Sequence, residues 1–492
     1  MIDRRRFLRL GGITAGGVAG IALLPKGTSS SATAAPVAPA THPGHGTVGR
    51  PVAARAAGAP PPFGSLRMPV PRELQPTRAA DGADVYRVPI QAATAELLPG
   101  LPTAIRSYAG QFVGPTIRAR SGRPVRITYT NQLDVPSNVH LHGGHNQQAD
   151  DGYPMDIIAP GQSRTYRYPN RQQGATLWYH DHAHHMEAEN LYRGLHGFYL
   201  IEDPAERGLG LPTGRFDIPI MLRDCQLDAS GALVYPGEPA DRTTVLTNGV
   251  IGPSFPVAAR KYRFRLLNAS NERTFRLTLG GAALTQIASD GGLLPAPKKR
   301  SEIVLSSAER VDVVIDFSKH AVGSQLVLYD VSGPVLRFDV TRAAADPSVV
   351  PATLRALPVL PAATVQREVV FKFDVSGTDP VGLVNGRAYD PARIDFQVKR
   401  GATEIWTIRN DDVDLGAPHT FHLHLEQFQV LDRNGGPPSP GDEGRKDTIL
   451  LAPGETVRVK ARFTDYVGTY VYHCHFVDHS VLGMMAQMRI VP

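Results

Sequence analysis

Cysteine is nearly missing: Cys225 and Cys474 are the only two in 492 residues. One disulfide is the most they could form, which excludes a disulfide-stapled scaffold, and a chain this long has enough core to do without one. Charge is sparse as well, at 20% of residues. The net +6 is concentrated at the N-terminus, where Arg4, Arg5, Arg6, Arg9 and Lys26 stand against Asp3 alone, so that a chain starting after Ala34 carries only +2. No basic patch is left that would call for nucleic acid or an anionic membrane. Long apolar runs are lacking too. The one near the N-terminus is too short and too Gly-rich for a good spanning helix, and no stable membrane anchor is expected. Long amphipathic helices are hard to find. Gly (48) and Pro (42) are plentiful instead, punctuating short apolar runs, which is the pattern of β-sandwiches or barrels.

The length implies two to four domains. Residues 1–34 read as an export signal: Arg4-Arg5-Arg6-Phe7-Leu8-Arg9 resembles the twin-arginine consensus. Small-residue cleavage sites follow at Ala32-Thr33-Ala34 or Ala38-Pro39-Ala40. The expected location is therefore outside the cytoplasm, secreted or periplasmic, with the twin-arginine export machinery as a partner. Residues 35–65 are rich in Pro and Ala and read as a disordered linker, in which His42 and His45 form an idle solvated pair. Three blocks follow, at 66–205, 212–344 and 365–492. Each carries strand-like runs such as Val125–Tyr129, Tyr262–Leu267 and Glu404–Ile408, and a Pro/Ala-rich connector joins the last two blocks. Ala452-Pro453-Gly454-Glu455 echoes Ala159-Pro160-Gly161-Gln162. Weak repeats of this kind predict three similar β-sandwiches in tandem.

Seventeen histidines are spread unevenly: eight lie between 140 and 196, six between 419 and 479, and only His320 in the middle block. Four clusters hold the signal. They are His140-x-His142, His180-x-His182, His419-x-x-His422-x-His424, and His473-Cys474-His475-x-x-x-His479 with Met484 beyond. Alternation along a strand puts residues i and i+2 on one face. In an extended segment His473 and His475 therefore point one way and Cys474 the other, so one thiolate addresses one metal while its neighbours address a second site. Cys, two His and a weak Met form the ligand set of a blue copper electron-transfer site, supplied here by His419, Cys474, His479 and Met484. Zinc is the rival metal. Its usual spacings do not match the final cluster, and a redox-inert ion gives a thiolate–histidine bridge no purpose. With Cys474 so engaged, Cys225 reads as a small buried residue.

The four clusters resemble the copper-binding segments of the multicopper oxidases, a family that includes laccases, bilirubin oxidase, phenoxazinone synthase and spore-coat laccases. Leu177-Trp178-Tyr179-His180-Asp181-His182 and Gly194-Leu195-His196-Gly197-Phe198-Tyr199-Leu200-Ile201 look particularly like the bacterial three-domain members. The resemblance implies an all-β fold of three tandem cupredoxin-like Greek-key sandwiches holding four copper ions. It assigns His419, Cys474, His479 and axial Met484 to the type 1 copper. His140 and His422 go to the type 2 copper, and His142, His180, His182, His424, His473 and His475 to the type 3 pair. It also implies that Cys474 passes electrons to His473 or His475, and that Asp151 relays protons. Met485 competes with Met484, and family spacing favours Met484. The turn Asp150-Asp151-Gly152 offers Asp151 a plainer role. Where several relatives have a Glu after the last type 1 histidine this chain has Ser480, so Asp478 or water is expected to serve as the second proton donor. His145, His184, His185 and His196 read as rim or packing residues.

The function implied is a laccase-like, copper-dependent oxidation of phenols or aminophenols, small-molecule donors whose electrons reduce dioxygen. The alternatives are a metallo-oxidase acting on Cu(I), Fe(II) or Mn(II), and a non-enzymatic copper-binding or scaffold protein. Eight methionines in all, with Met484, Met485 and Met488 the only ones in the third block, argue against a Met-rich cuprous-oxidase insert.

Overall fold

In a computed structural model, residues 60–492 are described. The export signal with Arg4 and Arg5, and the linker with His42 and His45 up to residue 59, lie outside the described residues.

One hydrogen-bonding pattern occurs three times. In each block a first strand pairs in parallel with a later one, which pairs antiparallel with a third. Asp84–Leu98, Val125–Asn131 and Ser163–Tyr168 do this in the first block. Asp217–Cys225, Lys261–Asn268 and Arg310–Asp316 do it in the second. Val365–Asp374, Thr403–Asn410 and Thr456–Arg462 do it in the third. A second sheet faces each of these and also contains a parallel pair, such as Gly114–Arg120 with His196–Glu202 and Phe396–Lys399 with Met485–Val491. Three Greek-key sandwiches in tandem, as expected, follow from the period-two patterning. Val125, Ile127 and Tyr129 are buried while Arg126, Thr128 and Thr130 are not fully so. Helices are confined to short turns of at most six residues among the described ones.

The middle block differs in being enclosed. Its strand Asp217–Cys225 is buried at every position, because its far face meets a neighbouring block rather than water. The polar groups it encloses are paired: Arg265 holds Asp217 at 2.7 Å, and Arg263 and Arg265 converge on Asp312, whose other oxygen accepts from Thr176 of the first block.

Two linking segments are more firmly attached than the sequence suggests. Residues 64–68 pack on the middle sandwich rather than the first: the Met68 amide donates to the Ser254 carbonyl at 2.8 Å, and the Met68 side chain enters the middle core. The connector near 345–363 has no regular element, yet Arg355 pairs with Asp203 of the first block and the Leu360 carbonyl accepts from Lys460 of the third.

Candidate metal centre

The strand parity of the third block separates two sites. Phe421 stands opposite Cys474, and His422 opposite His473. His419 shares parity with Phe421, so it lies on the inner face with Cys474, while His422 and His424 share the opposite face with His473. Inside the sandwich, His419 Nδ1, His479 Nδ1 and Cys474 Sγ form a triangle with sides of 3.1, 3.6 and 3.7 Å. Its centre is about 2 Å from each corner, the length of a metal–ligand bond. Asp412 fixes the tautomer of His419: its Nε2–H donates to the carboxylate at 2.7 Å, which leaves the His419 Nδ1 lone pair facing His479 Nδ1. With His479 in the tautomer that turns its own Nδ1 lone pair inward, the two nitrogens, 3.1 Å apart, are placed to share a cation. The Thr420 amide donates to Cys474 Sγ at 3.4 Å, and burial pushes the thiol up to about 12, so that a metal has to draw out the thiolate. Met484 belongs to the same core cluster as Cys474. Met485 pairs with His473 and so points to the other face.

The second site lies between the first and third blocks. His140 is cross-strand to His180, and its ring stacks on His424 at 3.8 Å, while His142 stacks on His422 at 3.7 Å. His473 Nε2 lies 3.2 Å from His182 Nε2 and 3.3 Å from His424 Nε2. Backbone and carboxylate oxygens occupy the outer nitrogens. His140 Nδ1 donates to the Asp151 carbonyl, His180 to that of Asp181, His422 to that of Asp447 and His473 to that of Cys474. His424 Nδ1 donates to Asp151 Oδ2 at 2.8 Å. The inner Nε2 atoms of His140, His180 and His422, and both ring nitrogens of His475, are buried with no hydrogen-bond partner. Orphaned buried acceptors converging on one space fit metal ions and little else. Burial, reinforced by mutual repulsion, pushes the pKa of His140, His142, His182, His424 and His475 well below the ordinary imidazole value. The rings are thus neutral and ready to ligate.

Several supporting residues escape sequence reading. Asp447 accepts from His142 Nε2 at 2.9 Å and is held on both oxygens by Arg310 of the middle block, at 2.6 Å each. No local motif marks either residue, since 137 positions separate them. Asp412 looks like any turn residue in Asn410-Asp411-Asp412. Asp151 reaches two histidines because Gly152 adopts φ 83°, where a β-carbon would collide with the Val139 carbonyl. Burial raises the Asp151 carboxyl well above its usual range.

The expectation for Asp478 is corrected. Arg242 binds its carboxylate at 2.5 Å, and Tyr235 and Asn271 donate to it, on the wall of an outer cavity. Of the remaining histidines, His145 pairs with Asp465 at 2.6 Å, His196 meets Arg223 at 2.9 Å, and the His184 ring lies tilted against that of His185. Cys225 is buried and free.

That outer cavity, about 780 Å³, is lined by His479 with Tyr235, Arg242, Glu272, Asp379, Asp478 and Leu482. His479 is 6% exposed, and its Nε2 lies 3.7 Å from Glu272. The inner triangle thus has one ring edge at a site large enough for a small aromatic molecule.

A thiolate–histidine centre opening on a cavity, joined through one strand to a histidine cage between sandwiches, defines a copper redox protein. Three stretches, 89–206, 230–333 and 360–492, match multicopper oxidase family models. The laccase of Bacillus subtilis (strain 168) is 34% identical, over 86% of this chain and 97% of that one. The bilirubin oxidase of Albifimbria verrucaria is 36% identical, over 86% and 81%. The solved laccase from Pediococcus acidilactici Pa5930 superposes with a TM-score of 0.81 at 32% identity, over 88% and 95%. The chain belongs to the multicopper oxidase family: it is a copper oxidoreductase with dioxygen as acceptor, built from three cupredoxin-like domains, and the family implies four copper ions.

Proposed function

We propose that this enzyme is laccase-like and oxidises phenols or aminophenols one electron at a time. The observation that carries the reading is His479, whose ring edge reaches the cavity while its Nδ1 faces the Cys474 thiol. A phenol entering beside Glu272, whose carboxyl burial and the neighbouring Asp478 hold well above its usual range, meets a polar partner for its hydroxyl next to the ring that takes its electron.

In this reading His419, Cys474, His479 and Met484 hold one copper, and His140 and His422 a second. His142, His180, His182, His424, His473 and His475 hold a pair. Copper bound there would supply one-electron redox chemistry, by which four donor electrons and four protons would convert each dioxygen to two waters. The protein supplies the rest. Cys474 joins the two sites through its covalent neighbours His473 and His475, Asp412 and Asp447 orient rings, and Asp151 carries protons behind His424 and His140. Dioxygen uptake with a phenol, an aminophenol, bilirubin, Cu(I) and Mn(II) tests the choice of donor. Faster turnover with the phenol or aminophenol supports the reading, and metal-only turnover overturns it. The metallo-oxidase reading draws on the carboxylates of Asp241, Glu272, Asp379 and Asp478 at the cavity, which suit a cation. Arg242 neutralises part of that charge, which favours an organic donor.

The same reading includes export by the twin-arginine route, supported by Arg4-Arg5-Arg6-Phe7-Leu8-Arg9. Lysines at positions 4 and 5 are expected to hold the precursor in the cell; unchanged secretion counts against that route.

A further inference from the structure

Reducing dioxygen to water consumes four protons at a cage sealed from solvent, since every ring lining it is at most 1% exposed. Asp151 serves one side. On the other side the chain has Ser480, which cannot donate an acidic proton. Its hydroxyl is not idle: Ser480 Oγ donates to Glu187 Oε1 at 3.3 Å. Glu187 comes from the first block, five residues after His182, and opens the short helix Glu187–Tyr192. That helix packs against Val477–Val481, which follows His475. Glu187 therefore lies where the two cage-bearing segments, His180–His182 and His473–His475, are brought together.

We infer that Glu187 is the second proton source for dioxygen reduction, supplying from across the domain interface the acid that position 480 lacks.

Three features single it out. The residue is 1% exposed, and its Oε2 has no hydrogen-bond partner. Among the described residues no cation pairs with it. The charged group acting on it from its own segment is Asp181, of like sign; the helix bearing Ser480 offers a hydroxyl, and the phenols of Tyr235 and Tyr389 feel its charge. Burial, with Asp181 adding, pushes its carboxyl up to about 8, against opposition from its own and the Met186 backbone amides and from Ser480. An unpaired buried carboxyl is costly to a fold that needs only packing there, and such groups gather where protons move. A hydroxyl can both donate and accept, so Ser480 can follow Glu187 through either protonation state. In each cycle four one-electron oxidations of the donor supply four electrons. The Oε2–H proton passes to oxygen being reduced, the carboxylate left behind is reprotonated from water, and two waters form.

The inference rests on the oxidase reading, and the test separates the two. Copper-loaded Glu187→Gln is compared with wild type for copper content, for anaerobic reduction of the thiolate centre by a phenol, and for reoxidation by dioxygen across pH. Reoxidation is expected to slow at least tenfold and lose its pH dependence near 8, with copper content and reduction unchanged. The exchange Glu187→Ser with Ser480→Glu is expected to restore the rate. On metal-free wild type, an infrared carbonyl band of a protonated carboxylic acid should titrate near 8 and be missing from Glu187→Gln. Wild-type reoxidation in Glu187→Gln, absence of the band, or copper loss in the variant would overturn the inference. If wild type takes up no dioxygen with any donor, the oxidase reading falls and the proton role falls with it.

Discussion

Cys474 is a single residue serving two places, and its neighbours show how much one position can decide. Met484 has the parity of Cys474 and shares its core cluster. A thioether there donates weakly to copper and favours the oxidised ion. Met484→Leu keeps similar volume and is expected to raise the potential of the blue site, with roughly 60 mV corresponding to a tenfold change in a one-electron equilibrium. Redox titration reads this directly, and a rise in Met485→Leu instead would assign the role to Met485. Asp151→Asn keeps an oxygen for His424 but removes the acidic proton. Reoxidation should slow by roughly a hundredfold with copper retained, and stopped-flow at wild-type speed would return Asp151 to a purely supporting part. The candidate ligands are legible in the sequence because they come in short runs, where spacing alone fixes the face. Asp447, Arg310 and Glu187 are not, because each acts on a partner distant in the chain and carries no local signature.

At the scale of elements, strands are more legible than links. Alternation in Val125–Asn131 or Thr403–Asn410 states both the strand and its inner face. The docking of residues 64–68 on the middle sandwich could not be read, since it depends on which core has room for Met68. The helix pair formed by Glu187–Tyr192 and Val477–Val481 was equally hidden, each being too short for a helical period to register. That pair has a consequence for stability. Between the ordinary glutamate value of 4.5 and about 8, folded protein holds a proton on Glu187 that unfolded protein has released. The folded state then binds more protons, so this group makes stability fall as pH rises through that window. Melts of metal-free protein should show the midpoint of Glu187→Gln gaining on wild type from pH 5 to 8. A constant difference would mean that the carboxyl is already ionised in the folded protein.

For the whole molecule, the middle domain is more than a spacer. Arg310 is fully buried, donates to the Thr176 carbonyl of the first block, and neutralises Asp447 of the third and Asp290 of its own. One guanidinium therefore touches all three sandwiches beside the cage. Arg310→Met leaves the buried Asp447 carboxylate without its cation, while Asp290 keeps Lys446 at 3.1 Å, a loss of about 3–5 kcal/mol by analogy with broken buried pairs. Both a lower melting temperature and reduced copper per chain are expected. Unchanged copper content would show that Asp447 keeps His142 in place unaided.

The cage is shared between blocks made at different times. Its first half, His140 to His182, leaves the ribosome more than two hundred residues ahead of His419, a delay of at least ten seconds or so at ordinary synthesis rates. During that interval four histidines sit on one face of a finished sandwich with nothing opposite them. A metal captured then would be held by half a site, so proper filling must wait until the third sandwich has closed over the first. With the ligands assigned as proposed, each ion in the cage would be a rivet through both. Occupancy and the union of the two outer domains become one thermodynamic event, and stripping the ions amounts to unfastening a joint.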